Sequence, residues 1–183
     1  TEGVRNEDWL VPLGADGYGV AFDPTDADIQ YMMTQQGNLQ RVDMGVLSTH
    51  AAELDGLPYG SLVIYGLHEG APVFLISELA EHTKNLRASS RCSLLVHERG
   101  PENPLALSRA TLVGEAVVVA PDERKTVEAS FLARHPDAEY YADFTDFHYW
   151  RLHVTGVRYI GGFGRMSWVE AEAWGGATPD PLV

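Results

Sequence analysis

The chain has 183 residues, 13 basic and 26 acidic, giving a formal net charge of −13 at pH 7, and this length suits one domain that buries roughly 70% of its extended-chain surface. The acidic balance argues against nucleic acid or an anionic membrane as a partner, because both need a basic face. Cys92 is the one cysteine and no apolar run approaches the ~20 residues of a membrane-spanning helix, so we expect no disulfide, no membrane span and a cytoplasmic location.

The first 40 residues are predicted to form an N-terminal arm with one short helix. Residues 14–19 and 23–26 are rich in glycine, aspartate and proline, which is typical of loops. A helix is expected at residues 26–36, with Asp26 as its N-cap. The main domain is then expected to span residues 41–172, followed by a tail at residues 173–183.

Most of the main domain is predicted to be β-structure. Residues 59–65 and 72–77 are two apolar, β-branched segments joined by a turn at residues 68–70, as in an antiparallel hairpin. The other segments of strand character are residues 42–49, 91–98, 111–119, 147–154, 156–162 and 166–169. We therefore predict a mainly β fold with few helices, and we expect it to be a β-barrel of six or seven strands.

Two helices are expected between the long central strand and the late strands. Pro121, Asp122 and Glu123 form a favourable helix start, with proline in the first turn and acidic residues near the positive end of the helix dipole. Residues 134–136, Arg-His-Pro, form a matching stop. A second, shorter helix is predicted at residues 138–142.

A polar segment follows the second strand of the predicted hairpin. Ser77 closes that strand, and His82, Thr83, Lys84 and Asn85 open a helical segment directly after it. Backbone N–H groups at a helix start, a hydroxyl, an ammonium and an amide are groups that bind phosphate. The segment therefore predicts a site for a phosphorylated cofactor.

Other catalytic motifs lack the spacing they need. Gly60 and Ser61 are not followed by the second glycine of a G-x-S-x-G elbow, and Cys92 lies inside a strand. The glycine clusters match neither the dinucleotide fingerprint nor the P-loop. The seven histidines show no zinc-ligand spacing, so no metal site is predicted, whereas haem needs a single accessible histidine and stays open.

In their order along the chain, several short motifs resemble the pyridoxamine 5′-phosphate oxidase-like, FMN-binding split-barrel superfamily. The resemblance is greatest to its haem-utilisation (HugZ-like) and CREG-like branch. It is carried by Leu57-Pro58-Tyr59-Gly60-Ser61, Leu75-Ile76-Ser77-Glu78-Leu79-Ala80, His82-Thr83-Lys84-Asn85-Leu86, Arg91-Cys92-Ser93-Leu94, Pro104-Leu105-Ala106, Arg109-Ala110-Thr111-Leu112-Val113-Gly114, His135-Pro136 and Gly161-Gly162-Phe163-Gly164.

The resemblance implies an antiparallel split barrel that forms a homodimer, with FMN at the subunit interface. It places Thr83, Lys84 and the backbone near His82 at the phosphate, Ser77 at the flavin or ribityl chain, and Ser61 in the same site. Arg109 stands where related proteins carry a polar residue that contacts the flavin. The full set of predicted cofactor contacts is Tyr59, Ser61, Ser77, His82, Thr83, Lys84, Asn85 and Arg109.

The first functional expectation is a flavin-dependent oxidoreductase acting on a small organic substrate, with no assigned catalytic residue. Ser61 resembles a position where vitamin B6 oxidases carry an arginine, which argues against vitamin B6 as the substrate. Two alternatives stay open, a haem-binding or haem-degrading protein on the same barrel and a non-enzymatic interaction or regulatory module of the CREG type. The HugZ-like branch often carries a further C-terminal domain that these 183 residues do not include, so haem degradation is not the first expectation.

Overall fold

The computed structural model describes residues 20–22, 30–33, 39–41, 44–97, 103, 105, 107–161, 166–171 and 173. The strands in these ranges are β1 (Val20–Phe22), β2 (Gln30–Met33), β3 (Leu39–Arg41), β4 (Met44–His50), β5 (Pro58–Ile64), β6 (Gly66–His68), β7 (Ala71–Ser77), β8 (Arg91–His97), β9 (Ser108–Val118), β10 (Phe147–Gly161) and β11 (Met166–Glu170). The α-helices are α1 (Glu81–Ala88), α2 (Arg124–Arg134) and α3 (Glu139–Ala142), with a 3-10 turn at Pro136–Ala138. No helix among the described residues is long and apolar enough to cross a membrane.

The first three strands form a small antiparallel sheet of their own, with β2 in the centre. The helix predicted at residues 26–36 is therefore wrong over Gln30–Met33. An isolated helix of that length is marginal in water, whereas a central strand exchanges backbone hydrogen bonds on both edges. The loops predicted at residues 14–19 and 23–26 lie outside the described residues.

The main sheet is antiparallel and curls into a split barrel. Its strand order is β5-β4-β8-β9-β10-β7-β6, with β11 paired to β10. The end strands β5 and β6 are consecutive in the chain and separated only by Tyr65. The sheet must therefore bend until its two ends meet, which confirms the predicted mainly β barrel.

The prediction that residues 59–65 pair with residues 72–77 in a hairpin is wrong. Strand β5 pairs with β4 along its whole length, and the hairpin partner of β7 is the short strand β6. Glu69 and Gly70 form the turn with positive φ angles of 52° and 75°, as in the turns that suit hairpins. Tyr65, which is buried, separates β5 from β6, so the strand predicted at residues 59–65 ends one residue earlier than expected.

The late strand pair predicted at residues 147–154 and 156–162 is one long strand, β10. Its register against β9 shifts between Val154 and Gly156, so Thr155 is the extra residue of a β-bulge. Thr155 donates a hydrogen bond to the Val113 carbonyl at 3.2 Å. The predicted strands at residues 91–98, 111–119 and 166–169 and the predicted helices after residue 121 and near residue 140 are confirmed within a few residues.

The core has two layers, because both faces of β7 are covered. Phe74 and Ile76 point into the barrel, where they join Leu152 and other buried residues. On the opposite face of the sheet, Val73 packs with Phe131 of α2. Helices α2 and α3 thus cover one side of the barrel wall, while α1 closes one end of the barrel with its buried Leu86.

Candidate functional site

The predicted phosphate-binding residues lie on α1, but their side chains do not converge. Thr83 and Asn85 are buried, whereas Lys84 is exposed. Successive residues on a helix are ~100° apart, so four in a row cannot face one ligand. The structure therefore divides the segment into side chains that face the barrel and side chains that face solvent.

His82 and Ser61 are brought together at the end of the barrel. The Nδ1 atom of His82 lies 3.0 Å from the Ser61 hydroxyl, which itself donates to the Leu47 carbonyl at 3.4 Å. With its proton directed to Leu47, the Ser61 oxygen accepts from Nδ1–H, and Nε2 of His82 keeps its lone pair. Nε2 is buried and has no partner among the described residues. Burial lowers the pKa of the His82 imidazole, so the ring is neutral near pH 7.

Thr83 and Lys84, both predicted to bind phosphate, sit in opposite environments. The Thr83 hydroxyl is fully buried and has no hydrogen-bond partner in the described part of the chain. The Lys84 ammonium lies at the surface, 3.3 Å from a carboxylate oxygen of Glu81. An exposed pair of this kind is weak, so Lys84 is free to turn toward a ligand but is not held in place for one.

Asn85 has a structural role that the sequence does not reveal. Its side-chain oxygen accepts from the Ala52 backbone N–H at 2.9 Å, and its amide donates to the Thr49 hydroxyl at 3.1 Å. Thr49 in turn lies opposite Tyr59 in the β4–β5 ladder. These bonds fasten α1 to the end of β4, and the cofactor contacts predicted for Asn85 and Tyr59 stay predictions.

Ser77 is engaged at the entrance to α1. Its hydroxyl donates to Asp146 at 2.8 Å and accepts from the Leu79 backbone N–H at 3.1 Å. The Glu78 backbone N–H also donates to the Asp146 carbonyl, at 2.7 Å. Asp146 thus fixes the turn between β7 and α1, and the flavin contact of Ser77 stays a prediction.

Arg109 lies apart from the other predicted contacts within one subunit. It is on β9, three strands from β5 in the sheet order, a distance of about 14 Å across the sheet. Ser61 aligns across β4 and β8 with Leu112, so Arg109, three residues away, points to the opposite face. Its guanidinium donates to the Leu105 and Leu107 carbonyls at 3.2 and 3.3 Å. Arg109 and Ser61 therefore share a site only if a second subunit contributes one of them.

An ionic cluster of Glu78, Arg87 and His148 lies near the same end of the barrel and is not predicted from the sequence. Glu78 accepts hydrogen bonds from Arg87, one of them from Nε at 2.7 Å, and lies 3.3 Å from Nε2 of His148. The Arg87 hydrogen bonds lower the pKa of Glu78. Arg87 also covers the Trp150 ring at 5.7 Å. Strand pairing of β10 with β7 brings His148 here, and no local spacing signals it.

A row of side chains on the outer face of the sheet, which we call the open face, has no helix packed on it in the described part of the chain. The row runs through directly paired strand positions, and its end members Leu62 and Trp168 are 67% and 61% exposed. Its members, in order across the sheet, are Leu62, Val46, Leu95, Thr111, Arg158 and Trp168. An uncovered row of partly apolar side chains is a candidate interface.

Known proteins resemble this chain over its barrel. Residues 38–175 match the family model described as CREG, beta-barrel. The chloroplastic non-canonical heme oxygenase HOZ of Arabidopsis thaliana is 41% identical over 119 residues, which cover 64% of this chain and 36% of that protein. Protein CREG1 of Gallus gallus is 24% identical over 162 aligned residues, and the match covers 77% of this chain and 83% of that protein. The chain thus spans about a third of HOZ but most of CREG1.

One solved structure is similar to this chain in both sequence and fold. A heme binding protein from Mycobacterium smegmatis has 40% sequence identity and a TM-score of 0.69, covering 73% of this chain and 55% of that chain. The described barrel and the sequence motifs therefore point to the same relatives.

Proposed function

Because the chain belongs to the CREG β-barrel family, we propose that it is a haem-binding protein and that haem, rather than FMN, is its cofactor. The observation that carries this proposal is the 40% identity with the heme binding protein of Mycobacterium smegmatis over 73% of the chain. The likeness to HOZ supports haem degradation as the activity, although it covers only 36% of that protein. These relatives support the haem alternative better than the flavin oxidoreductase that was the first expectation.

His82 is the residue we assign to the haem iron. An iron ligand must offer a neutral imidazole with one free lone pair, and a hydrogen bond to the other ring nitrogen sets which lone pair that is. His82 meets both conditions through its bond to Ser61 and its lowered pKa. Because Nε2 is covered by protein atoms, binding requires the first turn of α1 or its neighbours to move. When bound, haem supplies an iron centre for the chemistry of dioxygen.

The experiment is a titration of the purified chain with haemin, followed by absorption spectroscopy. We expect a saturable Soret band in the wild type and a shifted, weaker band in His82→Ala. The matched control is His153→Ala, which removes an exposed histidine of β10 and should leave the band unchanged. Absence of saturable binding in the wild type would refute haem as the cofactor. A band unchanged in His82→Ala would refute only the ligand assignment.

FMN is the second candidate, and in its favour the Thr83 hydroxyl at the start of α1 is buried with no hydrogen-bond partner among the described residues. If FMN binds there, Lys84→Ala should weaken binding of FMN far more than of riboflavin, which lacks the phosphate. Flavin fluorescence measures both affinities. An equal loss for the two ligands would argue against a phosphate contact.

We also propose that the chain is a homodimer joined through the open face. Arg109 points to the same face of the sheet as Thr111 of the open face, so in this dimer it would lie at the subunit interface. The non-enzymatic alternative, an interaction or regulatory module, is supported by the likeness to CREG1.

A further inference from the structure

We propose that the surface around α3 docks an arginine-containing basic segment of a partner protein. We call this surface the aromatic patch. Its centre is the ring pair of Tyr140 and Phe144, and we include in it the exposed carboxylates of Asp137, Glu139 and Asp143, each within three residues of Tyr140 in the chain. The proposal is independent of the cofactor.

The rings of the aromatic patch are exposed and contact each other. Tyr140 is 83% exposed and Phe144 is 46% exposed. Their centroids are 5.8 Å apart with the planes at 62°, and Phe144 also meets Phe147 at 6.1 Å. The apolar contacts of this segment with the barrel wall are made instead by buried residues such as Ala142. Packing of the fold therefore does not account for Tyr140, and it covers only part of Phe144.

The segment that carries these rings has only negative formal charges. Residues 135–150 contain four acidic residues and no lysine or arginine. Asp146 is engaged with Ser77, and the other three carboxylates are exposed and form no salt bridge with any described residue. One cation lies behind α3, where Arg124 donates to the Ala142 carbonyl at 2.9 Å, but it is shared with Glu128 at 3.5 Å.

This combination selects an arginine-bearing partner. A guanidinium stacks on an aromatic ring and also pairs with carboxylates, whereas an ammonium stacks less well. Tyrosine and arginine are the side chains that most often anchor protein interfaces. A second copy of the aromatic patch is disfavoured as the occupant, because the patch carries three carboxylates and residues 135–150 contain no lysine or arginine to pair with them.

The test measures binding of a fluorescent peptide of alternating arginine and glycine to the full chain, by anisotropy near physiological salt. We expect Tyr140→Ala combined with Phe144→Ala to weaken binding by about tenfold. Tyr140 is 83% exposed, so Tyr140→Ala alone should keep the wild-type melting temperature and should also weaken binding. A lysine peptide of the same length and charge should bind the wild type more weakly than the arginine peptide.

Matched controls separate the aromatic patch from the overall acidity of the chain. Asp137→Asn, Glu139→Gln and Asp143→Asn together should weaken peptide binding. Removal of three charges elsewhere, by Glu53→Gln, Glu115→Gln and Asp122→Asn, should have a clearly smaller effect. Equal effects of the two triple variants, or wild-type affinity in the aromatic variant, would overturn the proposal. Self-association lost in the aromatic variant would also overturn it and make a second copy the occupant.

Discussion

At the scale of single residues, neighbouring residues on α1 have different structural roles. Asn85 fastens the helix to β4 through two hydrogen bonds inside the protein, whereas Lys84 beside it reaches only an exposed carboxylate. Removing the hydrogen-bond partner of a buried group lowers the free energy of unfolding far more than removing an exposed ion pair does. Adjacent positions in one motif should therefore respond very differently to substitution.

Asn85→Ala should lower the free energy of unfolding by about 2–3 kcal/mol, because it removes a buried hydrogen bond to the Thr49 hydroxyl and a part-buried one from the Ala52 N–H. Lys84→Ala, the matched control, should change it by less than about 0.5 kcal/mol. Urea denaturation measures both. Similar losses for the two variants would contradict the structural role of Asn85.

His82 makes stability depend on pH. Its folded-state pKa is lowered by burial, so below the ordinary value of 6.5 the unfolded chain binds a proton more readily than the folded one. The contribution of His82 to stability is thus fully present above pH 6.5 and is lost as the pH falls toward its folded-state pKa. In His82→Gln, urea midpoints measured between neutral and mildly acidic pH should fall less steeply than in the wild type. Parallel curves would show that His82 does not titrate in this way.

The sequence predicts the residue types of the site but not their contacts. Helix-start chemistry placed Thr83 and Lys84 on a helix, and α1 confirms the helix. The bonds from His82 to Ser61 and from Glu78 to His148 join positions that are distant in the chain. Such contacts follow from strand order, which local patterns do not encode.

At the scale of elements, the bulge in β10 depends on a glycine of the neighbouring strand. A Cβ atom at Gly114 would lie 2.0 Å from the His153 carbonyl oxygen, which is backbone and cannot rotate away. By contrast, a Cβ at Gly60 of β5 would meet nothing closer than a Val46 methyl at 3.4 Å. The close approach of β9 and β10 at the bulge therefore requires glycine.

Gly114→Ala should lower the free energy of unfolding by about 3 kcal/mol, because β9 and β10 must separate locally to admit the methyl group. Gly60→Ala should be close to neutral and serves as the control. Thermal and urea unfolding, followed by circular dichroism, measure both variants. A neutral Gly114→Ala would mean that the bulge can shift its register.

Local patterns located the strands better than they paired them. Strands are predicted at residues 91–98 and 111–119 because β-branched and apolar residues are frequent there, and β8 and β9 confirm them. The break at Tyr65, the bulge at Thr155 and the strand at Gln30–Met33 depend on what lies beside each segment in space. Tertiary context decided those three features.

At the scale of the whole molecule, the open face determines the state of assembly that we expect. It presents Leu62 and Trp168 at opposite ends of one row, whereas the outer face of the sheet at β7 is covered by α2 and α3. An uncovered sheet face with this composition gains free energy when a second copy covers it.

Leu62→Glu should convert a dimer into a monomer, because it would bury a charge at the interface. The control is Leu54→Glu, at a leucine that is 56% exposed in the turn after β4 and outside the open face. Sedimentation equilibrium measures the mass of each variant. A wild type that is monomeric at all concentrations would refute the dimer, and a Leu62→Glu dimer would refute this interface.

Strand β10 has a consequence for synthesis of the chain. It lies between β9 and β7 and is hydrogen-bonded to both, so it joins the half of the sheet ending in β9 to the β6–β7 hairpin. A ribosome releases β4 to β9 before residues 147–161 appear, and until then β9 and β7 each present an unpaired edge. Unpaired edges recruit other strands, so the growing chain is most prone to aggregation just before its longest strand emerges.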